Sequence, residues 1–228
     1  MPQIELLHTD CMEYMAGLPD NAFDVIVSDP PYGLNGEFGF LAGFFKEAAR
    51  VSRMQVYIMD WRYPLREIDG KFAELVWEYG WVSGGRTKSQ HFYPTHNTIH
   101  FCGDRAFRFS TKDGSIIKRA PGFSSPRQCS YAKKSGHPYE KPIALMKYLV
   151  ERTTGTVLDP FMGSGSTGVA CAELGRVFVG TEQELEWYDV SRHRLAVHLS
   201  APRLFEATPA GLPQQLSLGD DVLSSDGT

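Results

Sequence analysis

The stretch Asp24–Tyr32, with the sequence DVIVSDPPY, decides which fold to expect of this chain. Its first half is a run of β-branched residues with little polar interruption, which favours a strand buried on both faces, as in a parallel sheet. Two prolines then follow, and both fix φ and lack a backbone N–H, so the strand should end in a rigid turn. The sequence therefore predicts a central parallel strand with a stiff turn at its carboxyl end.

The turn carries groups that suit the binding of an amine. The carbonyl groups of Pro30 and Pro31 have no neighbouring N–H to bond, and they lie beside the carboxylate of Asp29 and the ring of Tyr32. Such a cluster can accept two hydrogen bonds from an exocyclic amino group while the aromatic ring stacks on the heterocycle that bears it. The alternative is a strand that simply ends at a Pro-Pro turn.

Strands and helices alternate around this strand, which favours a doubly wound, mostly parallel α/β sheet. Besides the central strand, strands are expected at 4–7, 55–61, 97–102 and 177–182, and helices at 11–18, 40–52, 64–79, 143–150 and 184–198. Asp10 is the expected N-cap of the first helix. The strand at 97–102, preceded by Gly84 and Gly85, predicts an antiparallel hairpin at the sheet edge.

Residues 156–168 predict a strand, a glycine loop and the start of a helix that Gly175 ends. Gly163, Gly165 and Gly168 fit the pattern GxGxxG, and Glu182 ends the following strand about 20 residues on. Glycines let a ligand approach the backbone, and the acid suits two ribose hydroxyls, so a nucleotide site is predicted. The alternatives are a structural glycine turn and a nicotinamide site, the latter implying a dehydrogenase.

Charge is unevenly distributed along the chain. The total formal charge is −4, but residues 84–135 contain ten Lys or Arg against two Asp, interleaved with aromatic residues. A basic segment on an acidic body suits contact with a phosphate backbone, although a solvated loop is the alternative. The candidate nucleic-acid contacts are Arg105, Arg108, Lys112, Lys118, Arg119, Arg127, Lys133 and Lys134.

The remaining sequence features argue against several classes of protein. No apolar run approaches a membrane span, no signal peptide begins the chain, and the four cysteines form no CxxC pair. We therefore expect a soluble, cytoplasmic protein without a metal site or disulfides. The catalytic domain should occupy residues 1–198, with an inserted recognition segment at about 103–135 and a largely irregular tail at 199–228.

Three motifs together resemble the signatures of the S-adenosylmethionine-dependent DNA amino-methyltransferases. They are SDPPY at 28–32, HPYEKP at 137–142 and DPFMGSGST at 159–167, and their order is similar to that of the beta class of the family. The resemblance covers roughly residues 4–198 and implies a Rossmann-like methyltransferase fold. It also implies S-adenosylmethionine as cofactor and double-stranded DNA as partner, and the short recognition segment makes a homodimer a further expectation.

The resemblance implies roles for the matching positions. Asp29, Pro30, Pro31 and Tyr32 would form the catalytic turn that holds the target base. The cofactor residues would be Asp10, Lys141, Asp159, Phe161, Gly163, Gly165, Thr167 and Glu182. Asp10 would lie near the adenine of the cofactor and Glu182 at its ribose, while Thr167 and Lys141 are candidates for the methionine carboxylate.

The expected reaction is direct methyl transfer to the N6 amino group of adenine in duplex DNA, after the base is flipped out of the helix. The Asp-Pro-Pro-Tyr form of the turn leans towards adenine, and N4 of cytosine is the alternative. A dehydrogenase, a catalytically inactive DNA-binding module, and an enzyme acting on RNA or a protein amide remain open at this point.

Overall fold

The computed structural model describes residues 3–31, 38–60, 70–78, 96–104, 116–117, 136–137 and 139–200. In these ranges the strands are β1 (Ile4–His8), β2 (Phe23–Ser28), β3 (Ser52–Asp60), β4 (Lys71–Glu78), β5 (His96–Gly103), β6 (Ile116–Ile117), β7 (Val157–Asp159) and β8 (Phe178–Glu182). The helices are α1 (Cys11–Ala16), α2 (Phe38–Val51), α3 (Ile143–Glu151), α4 (Ser166–Glu173) and α5 (Leu185–Ser200).

The described strands form one sheet in the order β1-β8-β7-β2-β3-β5-β4-β6. The first five strands in this order are parallel, β5 is antiparallel to both β3 and β4, and β6 pairs parallel with β4. The predicted mostly parallel sheet with an antiparallel strand beyond it is therefore confirmed. Because the first five strands are parallel, their carboxyl ends meet at one edge of the sheet.

Helices cover both faces of the parallel strands. Val25 and Val27 of β2 pack against α3 in one apolar cluster, whereas Ile26 packs against Phe44 and Ala48 of α2 in another. Every side chain from Val25 to Val27 is fully buried, as the uninterrupted apolar run predicts. The central strand thus lies in the middle of a three-layer arrangement, and the turn that follows it is held on a rigid base.

Two local predictions about helix ends are confirmed. The side chain of Asp10 caps α1, because its Oδ1 accepts hydrogen bonds from the backbone N–H groups of Met12 (2.7 Å) and Glu13 (3.1 Å). Gly175 follows the end of α4 with φ +68°, a left-handed conformation that favours glycine. Pro142 precedes α3 as its N-cap residue, one position before the first turn.

The helix predicted at 64–79 is wrong where the structure describes it, because Lys71–Glu78 is strand β4. Its apolar side chains alternate: Ala73, Leu75 and Trp77 pack on one core cluster, whereas Glu74 is exposed on the other face. The sequence fits both a helical and an alternating pattern, and pairing with β5 decides for the strand. Residues 61–69 lie outside the described residues, as does nearly all of the predicted recognition segment.

In the part of the chain that the structure describes, no helix is both long enough and apolar enough to cross a bilayer.

Candidate active site

Four acidic side chains follow neighbouring parallel strands at the carboxyl edge of the sheet. In sheet order they are Asp10 after β1, Glu182 at the end of β8, Asp159 at the end of β7 and Asp29 after β2. The edge therefore joins the motif of the Pro-Pro turn to the motif of the glycine loop, although 130 residues separate Asp29 from Asp159 in sequence. An α/β sheet commonly binds its ligands at this edge.

The glycine loop between β7 and α4 is built for close approach of the backbone. Gly163 and Gly165 have φ values of +51° and +79°, and a Cβ on Gly165 would lie 3.0 Å from the Cβ of Ser191. Glu182 holds the loop from the next strand: its Oε2 accepts from the N–H of Gly163 at 2.9 Å, and its Oε1 accepts from the N–H of Glu184, also at 2.9 Å. The two glycines and the acid are thus brought together as the sequence predicted, while their contact with a cofactor stays a prediction.

Asp159 lies beneath this loop and is bonded on several sides. Its Oδ1 accepts from the hydroxyl of Ser28 (2.7 Å) and the N–H of Phe161 (3.1 Å), and its Oδ2 accepts from the hydroxyl of Thr167 (2.5 Å). Burial raises the pKa of Asp159 to about 6, against the opposing effect of these hydrogen bonds. These hydrogen bonds tie the glycine loop to the end of β2. Asp159 and Thr167 are only 3% and 2% exposed, and a direct contact of either with a cofactor stays a prediction.

The Pro-Pro turn is described as far as Pro31, with Pro30 buried and Pro31 exposed. Asp29 forms an ion pair with Lys141, whose ammonium donates a hydrogen bond to Oδ2. Their side chains are 21% and 11% exposed respectively, so the pair is largely shielded from water. Tyr32 lies outside the described residues, and its stacking role stays a prediction.

Phe161 belongs to an aromatic cluster with α2. Its ring centroid lies 4.9 Å from that of Phe44 and 6.2 Å from that of Phe40, both in edge-on geometry. Phe40 is 41% exposed, so the cluster extends from the core to the surface beside the glycine loop. Packing of this kind fixes the direction of the loop after β7.

His137 lies over the glycine loop, a position that the sequence reasoning did not single out. Its Nε2 is 3.2 Å from where a Cβ on Gly163 would be, its Nδ1 accepts from the N–H of Tyr139, and its ring meets Trp187 edge-on at 4.5 Å. Burial lowers the pKa of His137, so its neutral form is favoured. His137 opens the HPYEKP motif, which could have pointed to it, but Trp187 lies in no motif.

Arg194 and Glu140 form a second ion pair that sequence reasoning missed. Arg194 extends from α5, and its Nη2 lies 2.7 Å from Oε1 of Glu140. Its Nη1 donates to the backbone oxygen of Ser164 at 3.0 Å. The guanidinium therefore connects the glycine loop with the segment that carries Lys141.

Other candidate functional residues lie away from this site or outside the described residues. The eight basic residues predicted to contact DNA are all outside the described residues and stay predictions. A polar cavity of about 340 Å³, lined in part by Asn21, Ser52 and Asp104, lies at the opposite edge of the sheet.

Burial raises the pKa values of Cys11, Cys102 and Cys171 to about 12, so these buried thiols are poor nucleophiles. Within the described ranges, no cluster of three or more His, Cys, Asp or Glu is placed to hold a metal ion.

Comparison with known proteins gives matches to DNA methyltransferases. The model of the N6_N4_Mtase family, described as DNA methylase, matches residues 66–193, which is more than half of the chain. The chain is 25% identical over 253 residues to the DNA adenine methyltransferase YhdJ of Escherichia coli (strain K12), covering 87% of this chain and 85% of that protein.

Solved structures give the same fold. The crystal structure of an M1.HpyAVI-SAM complex has a TM-score of 0.63 and 24% identity, and the match covers 85% of this chain and 100% of that one. The PvuII DNA methyltransferase, which is cytosine-N4-specific, also has a TM-score of 0.63, with 13% identity and coverage of 90% and 89%. At these identities the two structures show the fold alone.

Proposed function

Since the chain belongs to the N6_N4_Mtase family of DNA methylases, we propose that it transfers a methyl group to the N6 amino group of adenine in duplex DNA. Enzymes of this family act with S-adenosylmethionine. The observation that carries the proposal is the link between the two halves of the site: Ser28, next to the Pro-Pro turn, donates to Asp159, which accepts from Thr167 at the start of α4. The amine holder and the glycine loop therefore form one unit.

The residues of the glycine loop fit a nucleoside-bearing cofactor. The left-handed backbone at Gly163 and Gly165 allows the tight turn of the loop, and the carboxylate of Glu182 lies beside it to accept hydrogen bonds from ribose hydroxyls. We assign the holding of S-adenosylmethionine to these three residues together with Phe161. When bound, this cofactor supplies a methyl group on a positively charged sulfur.

Asp29 and Pro30 would prepare the attacking amine. The lone pair of an aromatic amino group is delocalised into the ring, so the group is a weak nucleophile. Acceptance of its two hydrogens by the Asp29 carboxylate and the Pro30 carbonyl favours a pyramidal nitrogen whose lone pair is available. Asp29 also opposes the positive charge that develops on nitrogen, an effect of about 3 kcal/mol for one preorganised group.

An amino group within a duplex is inaccessible, so the proposal includes flipping of the target base, with Tyr32 as the stacking surface. The basic residues between 105 and 134 would contact the phosphate backbone in a salt-dependent manner. A homodimer and a cytoplasmic location are further parts of the proposal, since the recognition segment is short and the substrate is DNA.

Adenine is favoured over cytosine by the Asp-Pro-Pro-Tyr form of the turn and by the adenine specificity named for YhdJ. N4-methylation of cytosine is the second candidate, because the family model spans both and the PvuII enzyme has a comparable fold. The dehydrogenase alternative does not account for the Asp29 turn, and the family match argues against it.

The test is methyl transfer from tritiated S-adenosylmethionine to matched acceptors. Duplex DNA, heat-denatured DNA and RNA of the same sequence are compared, followed by duplexes in which either adenine N6 or cytosine N4 is already methylated. We expect duplex DNA to be the preferred acceptor and adenine pre-methylation to block labelling. Labelling that survives pre-methylation of adenine N6 but is blocked by pre-methylation of cytosine N4 would show that cytosine is the target base. Preference for RNA would refute the proposed substrate.

A further inference from the structure

Lys141 is placed where the proposed chemistry needs control of charge. It lies directly before Pro142 and α3, and its ammonium contacts Oδ2 of Asp29, 112 residues away in sequence. A second, longer contact of 3.4 Å joins the ammonium to the backbone oxygen of Tyr139. A lysine only 11% exposed is unusual for a residue that is normally solvated, which indicates that its position is specified.

An ion pair between Glu140 and Arg194 holds the segment that carries Lys141. Glu140 is 4% exposed and pairs with Arg194 at 2.7 Å. The same guanidinium donates to the hydroxyls of Ser164 (3.2 Å) on the glycine loop and Ser166 (3.3 Å) at the start of α4. Arg194 thereby fixes the distance between this segment and the loop. The backbone that carries Lys141 is therefore held in place where its side chain contacts Asp29.

The charges around Asp29 explain what the ammonium does there. In the described part of the chain, Asp29 interacts electrostatically with the buried carboxyl of Asp159, with Lys141 and with His137. His137 is held mainly neutral by burial, whereas Lys141 contacts Asp29 as a cation and opposes the repulsion between the two acids.

We propose that Lys141 is a positioning residue for Asp29, whose carboxylate it orients while the target amine binds, and that Arg194 holds Lys141 in place through Glu140. The inference rests on the proposed function, since Asp29 is the proposed acceptor of the amine. A carboxylate has two oxygens with about four acceptor positions, so the ammonium and an amine can share it. This partner differs from the methionine carboxylate that the sequence resemblance implied for Lys141.

Loss of the ammonium should alter the pH dependence of transfer. Without it, the charge of Asp29 acts on the buried carboxyl of Asp159 with no opposing charge from Lys141, and this repulsion raises the pKa of Asp159 further. The pH below which the rate of transfer falls should therefore rise.

The test is the single-turnover rate of methyl transfer to duplex DNA between pH 5 and 9 for Lys141→Met and Lys141→Arg. Lys147→Met is the matched control, since Lys147 lies on α3, the helix that follows Lys141, and pairs with Glu173 of α4 at 2.6 Å, away from Asp29. We expect methyl transfer by Lys141→Met to be slower by about tenfold or more. The acid limb of its pH–rate profile, where the rate falls at low pH, should be shifted to higher pH. Lys141→Arg, which keeps the charge, should retain the wild-type acid limb, and Lys147→Met should match wild type throughout.

An unshifted acid limb in Lys141→Met overturns the inference, and so does the same shift in Lys141→Arg, because charge would then not be the cause. Arg194→Met should shift the limb in the same direction. Its control is Arg192→Met, which removes an exposed pair with Asp189 on the same helix. The double variant Lys141→Met/Arg194→Met should shift the limb no further than Lys141→Met does; additive shifts would show that Arg194 acts independently.

A measurement without turnover separates this inference from the proposed function. In a double-mutant cycle of Asp29→Asn and Lys141→Met, the unfolding equilibrium constants should show a coupling of about threefold or more. If the cycle shows coupling but the wild-type protein methylates nothing, the proposed function is refuted while the pairing of Asp29 with Lys141 is upheld. Absence of coupling in an active protein would refute the positioning role alone.

Discussion

Replacement of Asp159 by Asn should stabilise the protein at neutral pH, although it removes a charge that accepts hydrogen bonds. Asp159 is 3% exposed, and burial raises its pKa from 3.8 to about 6. The folded state therefore binds the proton of this carboxyl more tightly than the unfolded state does. Ionisation of Asp159 destabilises the fold, with an effect that is absent below pH 3.8, grows as the pH rises towards 6, and is complete above it.

The size of the effect follows from the shift. A displacement of about 2 pKa units corresponds to about 3 kcal/mol, because each unit is worth 1.36 kcal/mol. Asn resembles the neutral acid, and its amide can still accept from Ser28 and face the hydroxyl of Thr167. The free energy of unfolding of Asp159→Asn should therefore exceed that of wild type by about 1 to 2 kcal/mol at pH 5 and by about 3 kcal/mol at pH 7.

The assay is urea-induced unfolding of both proteins at pH 5, 6, 7 and 8 at fixed ionic strength. Asp189→Asn serves as the control, since Asp189 lies on α5 with 51% of its side chain exposed, and its effect should stay small and nearly constant with pH. A variant less stable than wild type at pH 7 would show that the hydrogen bonds to the ionised carboxylate outweigh its burial. A difference that does not grow from pH 5 to pH 7 would equally refute the reasoning.

Three further variants test other parts of the structure. Gly165→Ala should cost about 2 kcal/mol in unfolding free energy, against about 1 kcal/mol for Gly175→Ala, because both residues have positive φ but only Gly165 lacks room for a Cβ. Equal losses would contradict the close contact at Gly165. Arg176→Met should cost about 2 kcal/mol by the same measurement, since its guanidinium donates to three backbone carbonyl groups of the segment before β7; a neutral effect would refute that role. Glu182→Gln should weaken binding of S-adenosylhomocysteine about tenfold in calorimetry, and unchanged affinity would remove Glu182 from the cofactor site.

The parts of the fold that depend on local sequence could be predicted. The run at β2 specifies a strand buried on both faces, Asp10 caps α1, and Gly175 ends α4, because each depends on neighbouring residues alone. The wrongly predicted helix at β4 shows the limit of this reasoning. Its apolar residues suit either period, and only the partner β5 determines that they alternate between two faces.

The candidate site shows the same division. The glycine loop and Glu182 were found because their spacing is a recurrent pattern. The pairing of Lys141 with Asp29 was missed because the two residues are distant in sequence and either has several plausible partners. Arg194 was missed for a further reason: it lies on a helix of mixed polarity, with no motif to distinguish it from its exposed neighbour Arg192.

The central claim is tested most directly by the identity of the methylated product. The protein is incubated with S-adenosylmethionine and unmethylated duplex DNA, and the digested nucleosides are analysed by mass spectrometry. Asp29→Ala is run in parallel, with Asp20→Ala as the control for loss of an exposed acid. N6-methyladenine should form with wild type and Asp20→Ala and be lost with Asp29→Ala. Undiminished product with Asp29→Ala, or no methylated nucleoside from a wild-type protein that binds the cofactor, would contradict the account.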